Sequence, residues 1–156
     1  MDKPADKFLV ILRGVSGSGK TTYVNRLIKK AHGLCKILSS QVCSADYYFE
    51  RPDKVYDFNP KLLPNAHAWC LKQVKLAMED FDAVSFTGDT DLIIVDNTNI
   101  CHWQYQKYIE LAKERGYKVK IICIPFRKED ALLYATRNLH GVPLSSIKKM
   151  MDQFEY

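Results

Sequence analysis

The stretch that most constrains this chain is "KFLVILRGVSGSGKTTYVNRLIKKAHG", residues 7–33. Residues 7–14 form an apolar run of strand length, and 19–33 carry apolar residues at helical spacing up to a glycine stop at Gly33. Between them "GVSGSGKT", Gly14 to Thr21, fits G-x-x-x-x-G-K-[ST] at every position. Gly14, Gly17 and Gly19 allow a tight turn that brings backbone N–H groups against anionic oxygens. The positive end of the helix dipole points into the same loop.

Such a loop is a polyphosphate cradle. Lys20 has the reach to meet β- and γ-phosphates, and the Thr21 hydroxyl is a ligand for Mg²⁺. We therefore assign Gly14, Ser16, Gly17, Ser18, Gly19, Lys20, Thr21 and Thr22 to binding a nucleoside triphosphate such as ATP. A chance glycine loop ending in Lys-Thr would not also sit between a strand and a helix.

Downstream the pattern keeps alternating. Strands are predicted at 36–44, 91–99 and 117–126, and helices at 63–80, 102–116, 128–138 and 143–156. Ala66, Cys70, Val74, Ala77 and Met78 share one helical face, as do Ile147, Met150, Met151 and Phe154. This alternation is that of βαβ units around a parallel sheet with helices on both faces, an α/β fold. Ligands of such sheets bind beyond the carboxyl ends of the strands, here residues 14–21, 44–49, 96–99 and 125–128.

Two of these places hold a carboxylate. In "VCSADYYFE", 42–50, Asp46 opens a loop either as a turn cap or as a group that accepts a proton. In "LIIVDNTN", Asp96 ends a buried run and is read as orienting the water shell of Mg²⁺. The competing reading is a cap, a task that Thr98 or Asn99 could also perform. In the magnesium reading, Thr98 and Asn99 turn polar groups toward the phosphate acceptor.

Composition adds bounds. The chain has 156 residues, suited to one domain spanning 1–156, with an ordinary globular makeup and no apolar run long enough to span a membrane. Its charged start lacks the apolar stretch of a signal peptide. Five scattered cysteines without a C-x-x-C pair argue for free thiols in a reducing compartment, against a disulfide-linked partner, and against zinc. The net charge of +5 suits a phosphate-bearing partner, although the basic residues are spread along the chain.

Four stretches, "LRGVSGSGKTT", "SADYYF" followed by "YDFNPKLLPNAHAW", "IIVDNTN", and "RNLHGVP" followed by "IKKM", resemble the polynucleotide-kinase branch of the P-loop kinases, within it the NEDD4-binding-protein-2-like proteins. They occur in order over residues 12–150. The resemblance implies a P-loop NTPase fold with sheet order 2-3-1-4 and a helical lid. It also implies ATP with Mg²⁺ and transfer of the γ-phosphate to the 5′-hydroxyl of RNA or DNA. Asp46 matches the general base of those kinases, with Lys20 and the lid residue Arg137 on the phosphates and Thr21 with Asp96, through water, at the metal. His140 lies behind Arg137 in the lid turn, and a plain snorkelling Arg is the alternative for Arg137. A monomer in the cytoplasm or nucleus is expected.

The pattern also departs from the family. Tyr47 stands where relatives carry a second Asp, Phe49 where the phage-type kinases carry an acceptor-gripping Arg, and Ser16 where relatives often have Pro. Tyr47, Tyr48, Phe49, Tyr56, Phe58 and Trp69 offer faces on which bases stack for about 1–3 kcal/mol each, or they pack the loop onto the sheet. Relatives continue past the position of Tyr156, so an adenine pocket is expected to be reduced or built from 125–128, with Arg127. The rival functions are a small-molecule or nucleoside kinase, and a nucleotide-binding module with little transfer.

Overall fold

A computed structural model describes residues 6–33, 37, 39–53, 55–79 and 90–156. The first apolar run becomes β1 (Phe8–Arg13), buried from Leu9 onward, and "LIIVD" becomes β3 (Leu92–Asp96), buried up to its terminal Asp. Both read as unbroken apolar runs because each has a strand on either side and helices above and below. Each fully buried Leu, Ile or Val in them contributes about 1.5–3 kcal/mol. The edges are β2 (Ser40–Cys43) and β4 (Lys118–Cys123).

All pairings are parallel and the order is β2-β3-β1-β4, in agreement with the order implied by the motifs. The register sets Leu12 beside Asp96 and Cys43 beside Val95, so the phosphate loop, the Asp46 loop and Asp96 emerge at one end of the sheet. With a single neighbour, β4 leaves Ile121 46% exposed.

Among the described residues five α-helices alternate with or follow the strands: α1 (Lys20–Gly33), α2 (Leu63–Met78), α3 (Gln106–Arg115), α4 (Ala131–Arg137) and α5 (Leu144–Gln153). On one face α2 and α3 bury Ala66, Cys70, Val74, Tyr108 and Ala112 against Leu9, Ile11, Ile93 and Val95. On the other, Val24 of α1 packs with Val10, Leu12, Leu92 and Ile94. A third cluster joins Val15 of the loop to Ala131 and Tyr134 of α4 and to Ile147 and Met151 of α5. The phosphate loop therefore rests directly on the lid helices.

Several boundaries differ from expectation, the strands predicted at 91–99 and 117–126 ending early at Asp96 and Cys123. The helices predicted at 102–116 and 128–138 begin as 3-10 turns, His102–Gln104 and Lys128–Asp130. The first is tightened by Cys101 N–H donating to Gln104 Oε1 at 3.1 Å and Tyr105 N–H donating to the His102 carbonyl. The last helix stops at Gln153, because Glu155 N–H bonds the Ile100 carbonyl at 3.0 Å and pulls the tail across the sheet end. Of the strand predicted at 36–44, residues 36 and 38 lie outside the described residues, as does residue 80 of the helix predicted at 63–80.

No described helix is long and apolar enough to cross a membrane. Cys43, Cys70, Cys101 and Cys123 carry free thiols, and burial pushes the Cys43 thiol up to about 12, which keeps it inert; Cys35 lies outside the described residues.

Candidate functional site

The phosphate loop takes the shape its glycines permit. Gly17 and Gly19 hold φ of 78° and 104°, in the left-handed region. A Cβ on Gly17 would collide with the backbone of Tyr134, so α4 closes against the loop only because residue 17 has no side chain. No acidic residue stands in the first turn of α1, which leaves its N–H groups facing outward for an anion. Ser18 Oγ is buried without a hydrogen-bond partner, a costly state that a phosphate oxygen would relieve. Thr21 and Thr22 are exposed at the start of α1.

Lys20 Nζ donates to the carbonyls of Gly14 (2.9 Å) and Val15 (3.0 Å). Burial lowers its pKa, and the carboxylates of Asp96 and Asp46 oppose that shift. Asp96, at the tip of β3, is raised by burial and drawn back by Lys20. Each group would gain from phosphate and metal charge, since anionic oxygens raise the lysine and a cation lowers the aspartate. The donor set thus fits a magnesium polyphosphate.

The Asp46 loop answers the cap question geometrically. Ser44 caps the 3-10 turn Ala45–Phe49 by accepting from Asp46 N–H at 3.2 Å, which frees the Asp46 carboxylate. Asn97, just past β3, accepts from Ala45 N–H at 2.9 Å and fixes this loop to the sheet. Tyr56 O–H donates to Asp46 Oδ1 at 2.9 Å, and His140 Nε2 lies 3.4 Å from Asp46 Oδ2. Lys20, Asp96 and Asp46 thus come from three segments at one end of the sheet, and His140 adds a fourth beside Asp46. Asp96 is likewise not the cap of the turn that follows, which begins at Cys101.

Around Asp46 stands an aromatic rim. Tyr47, Tyr48 and Phe58 are 42%, 37% and 48% exposed, while Tyr48 also touches Trp69 and Phe58 stacks beside Tyr56. Burial, with the negative charges of Asp96 and Glu50, raises the phenol pKa of Tyr47. Two expected acceptor-side residues are not presented to a ligand. Phe49 is buried among Tyr48, Tyr56 and Phe58. Asn99 is buried at φ 46°, and its amide donates to the Leu12 carbonyl at 2.7 Å, so its polar group is spent on the sheet. Thr98 is half-buried, and its carbonyl accepts from Gly14 N–H at 2.9 Å.

From the lid, Arg137 Nε donates to the Gly17 carbonyl at 2.6 Å, with its guanidinium 5.1 Å from the Tyr134 ring centroid. Arg127 is exposed and paired with Glu129 at 2.8 Å and Asp130 at 3.8 Å. Sequence reasoning missed Arg13. It is buried, donates to the carbonyls of Asn99, Ile100 and Glu155, and lies 5.0 Å and 4.7 Å from the ring centroids of Tyr105 and Phe154. The signal was a lone cation ending an apolar strand directly before the loop. Asn97, also missed, was legible only as one of several polar residues after Asp96.

Comparison with known proteins places these features. The AAA domain family matches residues 9–156. Human NEDD4-binding protein 2 is 31% identical over 153 residues, covering 94% of this chain; the chain spans 8% of that protein's length. Among solved structures, Kti12 of Chaetomium thermophilum in complex with ADP-AlF3 superposes with a TM-score of 0.67 at 15% identity over 95% of this chain and 80% of that one. A chain of the Pnkp1/Rnl/Hen1 RNA repair complex gives 0.66 at 16% identity over 97% and 45%. At such identities the structural likeness is one of fold. The match over nearly the whole sequence, together with the loop, sheet order and lid just described, makes this chain a member of the AAA domain family with a P-loop NTPase fold.

Proposed function

We propose that the chain, acting as one domain, is an ATP-dependent kinase that phosphorylates the 5′-hydroxyl end of a polynucleotide. The observation that carries this reading is that the phosphate loop with Lys20, Asp96 and the Asp46 loop emerge at one end of the sheet, with an exposed aromatic rim on the Asp46 side. The 5′-hydroxyl oxygen attacks the γ-phosphorus of ATP and the bond to the ADP oxygen breaks. The hydroxyl proton passes to the Asp46 carboxylate as the new bond forms. Lys20 and Arg137 neutralise charge developing on the transferring group. Thr21, and Asp96 through water, would hold Mg²⁺, which when bound neutralises the β- and γ-phosphate oxygens.

Tyr47, Tyr48 and Phe58 supply faces for unpaired bases, and Thr98 stands at the acceptor side of the sheet end. The rim favours a chain of nucleotides over a small acceptor, which would leave those rings in water. The test is transfer of labelled γ-phosphate to 5′-hydroxyl RNA and DNA oligonucleotides beside free nucleosides. Label at the 5′ end of an oligonucleotide, in excess over nucleoside, is the expected result. Preference for the nucleoside would convert the reading to a small-molecule kinase. Nucleotide binding without transfer to any acceptor would make the domain a binding module.

A further inference from the structure

The lid turn carries one side chain to each half of the site. Arg137 reaches the phosphate loop at the Gly17 carbonyl, and three residues later His140 meets Asp46. The turn between them is clasped by Asn138. Its amide nitrogen donates to the carbonyls of Ala135 (2.8 Å) and Val142 (3.1 Å), and its oxygen accepts from Val142 N–H (2.8 Å). Gly141, at φ 66°, closes the turn. Arg137 and His140 are therefore borne on one stiff piece.

The Asp46 carboxylate is met on both oxygens. Tyr56 donates to Oδ1 and His140 approaches Oδ2, while the two rings lie against each other with centroids 4.3 Å apart and planes inclined by 34°. A carboxylate offers four lone-pair directions, so these two contacts orient it and still leave room for a substrate hydroxyl. Tyr56 is itself stacked on Phe58 and its backbone bridges Glu50, which anchors the pair to the acceptor loop.

We propose that Tyr56 and His140 are positioning residues for Asp46, and that His140 couples seating of the lid on the phosphate loop to alignment of the base. This rests on the kinase reading above. The coupling explains how a site with Phe49 buried and Tyr47 in place of a second carboxylate still fixes the single Asp of that loop. Acceptor alignment is completed only when the lid is down on the nucleotide side, so that phosphate transfer and acceptor capture share one moving part.

The test is a double-mutant cycle on the full chain with an oligonucleotide acceptor. Tyr56→Phe, which keeps the ring, and His140→Gln are combined singly and in turn with Asp46→Asn, and kcat, KM and nucleotide affinity are read for each. We expect each single substitution to lower kcat by about ten- to a hundredfold, as misalignment of a reacting group does, with nucleotide affinity unchanged by Tyr56→Phe and lowered by His140→Gln by less than the fall in kcat, since the coupling is reciprocal. In the Asp46→Asn background neither should lower the residual rate further. Losses that multiply with Asp46→Asn, or a fall in nucleotide affinity matching the fall in kcat, would overturn the inference while leaving the kinase reading intact. Absence of transfer by the unsubstituted chain would overturn both. A change in His140 ring-proton resonances on Tyr56→Phe and on Asp46→Asn is expected from the 4.3 Å and 3.4 Å contacts. Unmoved resonances would refute the contact itself.

Discussion

Lys20 and the donors around it lie in one unbroken stretch, Gly14–Thr21, between a strand and a helix, whereas Asp46 is set by Asn97, Tyr56 and His140 from three other segments. The phosphate side is a local structure. Its backbone torsions, its helix end and its lysine follow from adjacent residues, and the rest of the protein need only not obstruct them. The Asp46 side is a tertiary structure, in which each contact waits for the sheet, the 50–56 bridge and the lid to be in place. A local motif tolerates change in its surroundings, and an assembled carboxylate does not. The two halves therefore differ in how substitutions should act: changes on the phosphate side alter nucleotide binding most, and changes on the Asp46 side alter transfer most.

The largest effect that would break this division comes from Gly17→Ala. It combines a left-handed φ with a collision against the Tyr134 backbone. Backbone strain alone costs about 1–3 kcal/mol, so nucleotide affinity and thermal stability should fall together, read by titration calorimetry and thermal unfolding. Unchanged affinity would mean that α4 does not close on the loop.

A smaller loss is expected from Arg13→Met, which fills similar space but removes the side-chain donor to the carbonyls of Asn99, Ile100 and Glu155, of which Ile100 keeps the Glu155 N–H. An orphaned buried acceptor costs about 1–3 kcal/mol, measurable by urea denaturation. Because Arg13 joins the base of the loop to the turn after β3 and to the tail, this change should weaken both halves. An effect confined to nucleotide affinity would place Arg13 on the phosphate side only.

The smallest effect belongs to Arg127→Ala. Its ion pairs with Glu129 and Asp130 are exposed, and water screens such pairs so that they add little to stability. Stability should be unchanged within error. Any fall in ATP affinity relative to GTP would then assign Arg127 to the base pocket expected at 125–128.

The sequence carried the same asymmetry. The phosphate loop and the inward faces of α2 and α5 were legible because they depend on periodicity and on one contiguous motif, and the strand order was implied by the family resemblance. Asp46 and Asp96 could be picked out by their place after a strand, but not separated from caps until Ser44 and Cys101 were seen to cap the turns. Phe49 and Asn99 looked like acceptor-side residues because neighbours in sequence were taken as neighbours in space. A 3-10 turn and a left-handed backbone direct both inward. Arg13, Asn97 and the Tyr56–His140 pair act across long sequence separations, and no local pattern marks such contacts.

The most direct test of the account is single-turnover transfer of γ-phosphate from ATP to a 5′-hydroxyl oligonucleotide by the unsubstituted chain and by Asp46→Asn, with ATP affinity measured on both. Loss of a general base should slow transfer by about 10²–10⁴-fold while ATP binds equally well. Equal rates, or a loss of ATP binding in step with the rate, would contradict the assignment of Asp46 to the acceptor hydroxyl.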